Sequence, residues 1–143
     1  SNESRSKLLL KRVYKILNNK IKNRKIAFLG VTFKANTDDM RDSSSLTMIP
    51  ELSKKGANIE YYDPTGFKNE FKKYRNVSYV KSVTKCFEKS DLVIIHTEWN
   101  DFKSLDFKKL IINKKTVIFD MRNLYSSNKM LKKNIKYFSV GRG

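Results

Sequence analysis

Apolar residues along this chain form short runs that are separated by stretches with helical periodicity. Two runs are almost wholly apolar, KIAFLG at 25–30 and DLVIIH at 91–96, and such runs are typical of strands buried on both faces of a parallel sheet. Weaker strand patterns occur at 58–62, 77–80, 116–120 and 136–140. The pattern therefore predicts a sheet of about five to six strands.

The stretches between these runs are predicted to be helices. In Ser4 to Lys20, Leu9, Val13 and Leu17 recur on one helical face. The other predicted helices are Ser44 to Lys55, Phe67 to Tyr74, Ser82 to Lys89, Phe107 to Ile112 and Ser127 to Lys133. Strands that alternate with helices require right-handed crossovers. We therefore expect an α/β fold, a three-layer α/β/α sandwich with a mostly parallel, Rossmann-like sheet.

The helix predicted over 44–55 carries clear start and stop signals. The serines at 43–45 can cap its first turn, and Gly56 is well placed to end it. Pro50 lies inside the segment, where the missing N–H should kink the helix or move its start.

The length of 143 residues is that of one ordinary domain. We expect residues 1–24 to form a lead-in helix that packs on a domain built from 25–143. The single cysteine, Cys86, excludes an internal disulfide, and no apolar run approaches the ~20 residues of a membrane span. A reducing, cytoplasmic location without membrane contact is the expectation.

The net charge of +17 raises the question of nucleic-acid binding. However, lysine far outnumbers arginine, the better residue for bidentate phosphate recognition, and the lysines are spread over the whole chain. This favours an AT-rich genome as the source of the charge. A basic nucleic-acid-binding module remains the second hypothesis.

Ligands of parallel α/β sheets bind at the carboxyl ends of the strands, so the segment after the first strand is the first candidate. Only Gly30 is present there, without the G-x-G-x-x-G of a dinucleotide turn, so standard NAD binding is not expected. Lys34 and Arg41 precede a helix and suit phosphate oxygens. An exposed loop that pairs its own charges is an equally open interpretation.

The other strand ends carry fewer signals. Asp63 precedes a proline and is interpreted as a turn initiator rather than a ribose ligand. Trp99 and Phe102 are expected to tether their loop rather than to stack on a base. Arg122 lies at the mouth of the sheet, as an anion clamp or as an ordinary surface arginine, and both interpretations stay open.

The residues give no sign of catalysis. His96 ends an apolar strand and is expected to be a packed, satisfied histidine rather than a metal ligand. Cys86 has no histidine at motif spacing and is interpreted as a partly buried structural thiol. Paired acids, Ser–His arrangements and metal-ligand clusters are missing from the sequence. The residues therefore indicate a binding domain without catalytic residues or a metal.

Several short motifs occur in order over nearly the whole chain. They are 2–10, GVTFK at 30–34, NTDDMRDS at 36–43, GA at 56–57, YDP at 62–64, TEW at 97–99, DMRN at 120–123 and VGR at 140–142. Together they resemble the carboxy-terminal UDP-binding domain of the UDP-glucose/GDP-mannose dehydrogenase family. The TEWNDF form at 97–102 is more similar to the UDP-glucose branch, with another UDP-sugar dehydrogenase of the family as the alternative.

The resemblance implies an enzyme that oxidises the 6-hydroxyl of UDP-glucose to give UDP-glucuronate, in two NAD-dependent steps through a thiohemiacetal on a cysteine. Phe33 and Lys34 match positions that contact the nucleotide sugar, and Arg122 matches a substrate-binding arginine. Arg41 matches an arginine that reaches across an interdomain cleft to the cofactor.

The family carries its NAD fingerprint and its catalytic cysteine in an amino-terminal and a central domain, and neither motif occurs in this chain. Cys86 does not replace that cysteine. The resemblance thus implies those two partner domains, a homo-oligomeric parent enzyme, and a chain that binds without turnover. A subunit-interface module is the third hypothesis.

Two positions depart from the family pattern. Met121 stands where the family usually has glycine, which could alter the backbone beside Arg122. Ser44 stands where proline is frequent, which affects the shape of the helix more than the chemistry.

Overall fold

A parallel six-stranded sheet forms the centre of the computed structural model, which describes residues 2–141. The strands are β1 (Lys25–Leu29), β2 (Asn58–Tyr62), β3 (Val77–Tyr79), β4 (Leu92–Ile95), β5 (Val117–Asp120) and β6 (Lys136–Ser139). Their order is β3-β2-β1-β4-β5-β6, and every neighbouring pair is parallel. This is the doubly wound order of nucleotide-binding folds, with its switch point between β1 and β4. All six predicted strands are confirmed.

Helices cover both faces of this sheet. They are α1 (Asn2–Ile16), α2 (Ser45–Lys54), α3 (Val83–Phe87), α4 (Phe107–Leu110) and α5 (Ser127–Lys132). Successive residues of β1 point to opposite faces. Phe28 packs in the core beneath α1 and α2, and Leu29 in the core beneath α3, α4 and α5. The three-layer prediction is therefore confirmed.

The helix predicted over 67–74 is wrong, because only one 3₁₀ turn forms there, Asn69–Phe71. Lys68 has an extended backbone with φ −118°, and its N–H donates to the Tyr61 hydroxyl at 2.8 Å. Phe71 then enters the core and packs edge-on against the Tyr61 ring. Tyr61 thus keeps Lys68 extended, so a helix cannot begin at Phe67 as predicted.

Helix α2 ends as predicted. Gly56 has φ +92°, and its N–H donates to the Ser53 carbonyl. Pro50 lies inside the helix, which continues through it and begins at Ser45, so the proline does not move the start of the helix.

Helix α1 lies on the α2 side of the sheet, where Leu9, Leu10 and Val13 are buried. Asn18 and Asn19 follow it in the left-handed region, with φ 53° and 60°, and turn the chain toward β1. Among residues 2–141, no helix is long and apolar enough to cross a membrane. Of the closing VGR motif, Arg142 lies outside the described residues.

Candidate functional site

Gly30 brings together the loops that follow β1 and β4. Its φ of +78° is unfavourable for other residues, and a Cβ there would lie 2.6 Å from the Thr97 Cβ. Its N–H donates to the Tyr62 carbonyl at 2.7 Å. A glycine is therefore required where the two strand-end loops approach each other at the switch point.

Two N–H groups of the loop after β1, those of Val31 and Phe33, are used within the protein. Val31 donates to the Asp63 carboxylate at 2.8 Å, and Phe33 donates to the Asp39 carbonyl at 3.0 Å. In a dinucleotide fold, backbone N–H groups of this loop face the pyrophosphate. The loop does not fit that role, which agrees with the missing glycine fingerprint.

Asp63 is a structural residue, as the sequence indicated. It is buried and also accepts hydrogen bonds from the Thr65 N–H and hydroxyl. This is the turn geometry expected of an aspartate before proline. Its oxygens are thus occupied, and a ribose-binding role is not supported.

A cleft of about 220 Å³ opens at the carboxyl ends of β1, β4 and β5. Its lining comprises three cations, two carboxylates and four uncharged side chains. These are Arg5, Lys34 and Arg122, then Asp42 and Glu98, then Asn2, Phe33, Ser44 and Met121. Three of the four residues predicted for ligand binding, Phe33, Lys34 and Arg122, therefore lie together, and Arg41 is outside this lining.

Arg122 is fixed in the cleft by a backbone carbonyl, and its loop is held by a carboxylate that binds the Arg122 backbone and not its guanidinium. Its Nε donates to the His96 carbonyl at 2.8 Å, and its backbone N–H donates to Asp120 Oδ1 at 3.0 Å. Burial lowers the pKa of Arg122. The negative charge of Glu98 opposes this shift, and the positive charge of Arg5 adds to it. Among residues 2–141 Arg122 forms no ion pair, so its remaining guanidinium donors are available to an anion.

Asp120 holds the loop that carries Arg122. It is fully buried, and its second oxygen accepts from the N–H groups of Leu124 and Tyr125 at 2.7 and 3.1 Å and from the Tyr137 hydroxyl at 2.6 Å. The sequence analysis noted Asp120 only as part of a motif. Its role could have been predicted, because Asp120 is an acid at the end of a buried strand, and the N–H groups of the turn that follows need an acceptor.

Arg41 fits the interpretation of an exposed loop that pairs its own charges. Its side chain is 88% exposed, and it binds Asp39 in a bidentate manner, with Nε–Oδ1 and Nη2–Oδ2 distances of 3.1 Å. The hydrogen bond and the opposite charge raise the pKa of Arg41 and lower that of Asp39. The two cations of this loop thus differ in availability. Lys34 lines the cleft, whereas Arg41 lies outside the lining and is bound to Asp39.

His96 is a packed histidine with two partners, as predicted. Its ring is 1% exposed, with Nε2 2.8 Å from the Ser44 Oγ and Nδ1 2.8 Å from the Thr97 Oγ1. Burial lowers the pKa of His96 to about 3, and the charges of Arg122 and Arg5 act in the same direction. The ring is therefore neutral at physiological pH.

Cys86 is completely buried, so the prediction of a partly buried thiol is wrong in degree. The α3 segment lies directly on β1, and the Cys86 Sγ lies 3.9 Å from the Phe28 carbonyl. Burial raises the pKa of Cys86 to about 12, with Glu60 acting in the same direction. Such a thiol is a poor nucleophile, so its structural role stands.

Trp99 and Phe102 are 8% and 0% exposed, so they anchor their loop in the core, as predicted, and are not accessible to a base. No group of His, Cys, Asp and Glu within residues 2–141 could hold a metal ion.

Six residues of the cleft had no ligand role predicted from the sequence, namely Asn2, Arg5, Asp42, Ser44, Glu98 and Met121. Asn2 and Arg5 belong to α1, which was interpreted only as a packing helix. A helix of this length spans roughly 22 Å. Because it precedes β1, its first residues come to the carboxyl end of the sheet, which is a signal that could have found them.

A doubly wound parallel sheet with a cleft lined by three cations at its switch point is the architecture of α/β nucleotide-binding domains. Residues 27–127 match the model of the UDP-glucose/GDP-mannose dehydrogenase family, UDP binding domain. This match covers more than half of the chain, and the chain belongs to that family.

Curated relatives cover almost the whole chain. The UDP-glucose 6-dehydrogenase of Rhizobium meliloti (strain 1021) is 36% identical over 142 residues, which are 99% of this chain and 32% of the relative. The enzyme of the same name from Rickettsia bellii (strain RML369-C) is 35% identical over 144 residues, 99% of this chain and 33% of the relative. The chain thus spans about a third of the length of these relatives.

Solved structures show the same fold. A UDP-glucose dehydrogenase from Pyrobaculum islandicum superimposes with a TM-score of 0.76 at 24% identity, over 99% of this chain and 30% of that one. An NDP-N-acetyl-D-galactosaminuronic acid dehydrogenase from Methanosarcina mazei Go1 gives a TM-score of 0.77 at 22% identity, over 97% of this chain and 29% of that one.

Proposed function

We propose that this chain is the part of a UDP-glucose 6-dehydrogenase that binds the nucleotide sugar, and that it binds UDP-glucose and UDP-glucuronate without turning them over. The observation that carries the proposal is the cleft, where Lys34 and the unpaired, partly buried Arg122 converge. The names of the curated relatives support UDP-glucose as the sugar nucleotide.

Lys34 and Arg122 are assigned to the pyrophosphate. A guanidinium that is removed from water and has no carboxylate partner gains most from a phosphate group, to which it donates two parallel hydrogen bonds. Lys34, an exposed residue, adds an ammonium to the lining of the same cleft. Phe33, which is 44% exposed, offers an apolar surface against which a sugar or a base can pack.

Arg41 is assigned to the cofactor NAD. The Arg41 side chain is 88% exposed in its pair with Asp39, and ion pairs of exposed groups contribute little, so exchanging the carboxylate for a phosphate costs little. The chain does not fit the main NAD site, because the Val31 and Phe33 N–H groups after β1 are occupied and the glycine fingerprint is missing. The hydride transfers, and the cysteine that they require, are assigned to the amino-terminal and central domains of a longer, oligomeric parent protein.

The test is a titration of the ¹⁵N-labelled chain with UDP-glucose, followed by NMR and calorimetry. Amide shifts should move at residues 33, 34 and 122. Arg122→Ala should weaken binding roughly 10- to 100-fold, because it removes charge-assisted hydrogen bonds. Lys34→Ala should weaken it by a smaller factor, and Lys108→Ala, on the far face of the sheet, should leave it unchanged.

Equal effects of Arg122→Ala and Lys108→Ala would contradict a specific cleft and would indicate binding by net charge alone. In that case binding should also fall steeply with salt and extend to any DNA duplex, as the nucleic-acid hypothesis requires. GDP-mannose, offered under the same conditions, tests the choice of nucleotide sugar.

A further inference from the structure

Ser44 lies in the cleft, one residue ahead of α2, and its hydroxyl is 2.8 Å from the His96 Nε2. A serine at the start of a helix usually accepts a hydrogen bond from an N–H of the first turn. The Ser44 side chain does not do this. Ser43 accepts from the Ser45 N–H in its place, at 3.2 Å. The Ser44 oxygen is therefore not used by the helix.

The direction of the Ser44–His96 hydrogen bond follows from the groups behind it. The Thr97 hydroxyl has one proton, which it donates to the Thr32 carbonyl at 3.0 Å. Thr97 Oγ1 therefore accepts from His96, so Nδ1 carries the ring proton. A neutral imidazole has only one such proton, and the His96 Nε2 must then accept from Ser44.

His96 orients a hydrogen-bond donor and a hydrogen-bond acceptor in the cleft. Its carbonyl accepts from the Arg122 Nε and fixes the cation, and its ring takes the hydroxyl proton of Ser44. With that proton committed, Ser44 presents only lone pairs to a ligand. Asp42, another residue of the cleft lining, also offers acceptors. The cleft thus combines donors from Lys34 and Arg122 with acceptors near Ser44.

We propose that Ser44 is a specificity-determining acceptor, which receives a hydrogen bond from a hydroxyl of the bound nucleotide sugar, and that His96 is the positioning residue that sets this polarity through its Nδ1–H tautomer. The proposal rests on the function proposed above. It divides the ligand between two walls, with phosphate oxygens on Lys34 and Arg122 and a hydroxyl on Ser44.

The first test needs no ligand. The chain contains one histidine, so the ring signals of a long-range ¹H–¹⁵N spectrum belong to His96 alone. At neutral pH we expect a protonated Nδ1 and an unprotonated Nε2. A protonated Nε2 would overturn the proposal, because Ser44 would then accept from His96 and direct its own proton into the cleft.

The second test compares UDP-glucose with inorganic pyrophosphate at alkaline pH, where pyrophosphate offers only acceptors. Ser44→Ala should lower the affinity for UDP-glucose roughly three- to tenfold, which is the effect of one hydrogen bond. The affinity for pyrophosphate should not change. Arg122→Ala should lower the affinity for both ligands. The matched control is Ser104→Ala, at an exposed serine outside the cleft lining, which should change neither affinity.

A loss of pyrophosphate affinity in Ser44→Ala would show that Ser44 donates to phosphate and would overturn the proposal. So would an unchanged affinity for UDP-glucose in the same variant. If the unsubstituted chain binds neither ligand, the proposed function itself fails and the acceptor role fails with it. The two failures are therefore distinguishable.

Discussion

The two ends of the sheet use their acidic residues differently. At the amino end, Asp91 accepts from the Lys25 N–H at 2.9 Å and lies 2.9 Å from the Lys115 ammonium and 3.6 Å from the Arg24 guanidinium. Burial acts to raise the pKa of Asp91, but these hydrogen bonds and charges outweigh it and lower the pKa. Cations at this end are bound to a carboxylate of the protein.

At the carboxyl end, the buried acids bind backbone instead of cations. Asp63 accepts from the Val31 N–H, and Asp120 accepts from three N–H groups of the following loop. Lys34 and Arg122 are therefore left for a ligand. The comparison teaches that acids which shape loops at the carboxyl end leave Lys34 and Arg122 without an ion pair among residues 2–141, whereas Arg41, which Asp39 binds, is not available in this way. Substitutions at the carboxyl end should affect stability and binding together, and those at the amino end stability alone.

The largest effect is expected from Asp120→Asn. An amide replaces one carboxylate oxygen, so at least one buried N–H or hydroxyl loses its acceptor, and stability should fall by about 3 kcal/mol. Urea unfolding measures the loss, and calorimetry with UDP-glucose should show weaker binding because Arg122 is displaced. The matched control, Asp101→Asn at an exposed residue, should change stability by less than about 0.5 kcal/mol. An Asp120→Asn variant with unchanged stability and unchanged affinity would show that this acid does not shape the loop that carries Arg122.

Gly30→Ala should cost about 3 kcal/mol of stability, since a left-handed backbone is unfavourable and the methyl group would overlap Thr97. Gly66 provides the control, because it has φ +92° but no atom lies within 4 Å of the position that a Cβ would take. Gly66→Ala should therefore lose only about 1 kcal/mol. Equal losses in urea unfolding would show that the contact between the two loops does not contribute.

The next effect is a pH dependence that His96 should produce. The unfolded chain binds a proton at His96 below roughly pH 6.5. The folded chain stays neutral there down to about pH 3. Stability should thus fall as the pH falls through this window, by at most about 1.4 kcal/mol per pH unit.

The comparison for this measurement is His96→Gln, which retains polar groups but does not titrate. The difference between the two urea-unfolding curves, plotted against pH, isolates the contribution of the histidine from that of the carboxylates. Parallel pH profiles for the two proteins would refute the buried, neutral state of His96.

The smallest effect is expected from Asp91→Asn at the amino end of the sheet, a loss of about 1 kcal/mol at pH 7. The folded pKa of Asp91 is lowered, so its contribution is present above the unfolded value of roughly 3.9 and disappears as the pH falls below it. Affinity for UDP-glucose should not change. A lower affinity for UDP-glucose in this variant would contradict the expectation that substitutions at the amino end of the sheet affect stability alone.

The sequence predicted the strands well because buried parallel strands leave a strong local pattern. Runs such as LVII at 92–95 are fully buried and need no information from distant residues. The expectation that ligands bind at the carboxyl ends of the strands pointed to Lys34 and Arg122, and the family resemblance added Phe33; the structure brings the three into one cleft. The failure at 67–74 has a non-local cause, since the Tyr61 hydroxyl holds the Lys68 N–H from a different element.

The polar arrangement of the cleft was less predictable for the same reason. The roles of Ser44 and His96 depend on a hydrogen-bond chain that joins residues 52 positions apart in the sequence. Arg5 reaches the cleft only because α1 crosses the sheet. Neither fact is encoded in the spacing of nearby residues, so the sequence identified Lys34 and Arg122 but neither Arg5 nor the groups that orient Arg122.

The direction of α1 has a consequence for local concentration. Asn2, its first residue, lines the cleft. Any polypeptide joined ahead of it therefore emerges at the mouth of the cleft and not at the amino end of the sheet. A group on a short tether experiences an effective concentration in the millimolar range. A domain attached at this point would meet a ligand in the cleft as a nearly intramolecular partner, and even a weak contact with the exposed side of that ligand would keep the domain at the cleft.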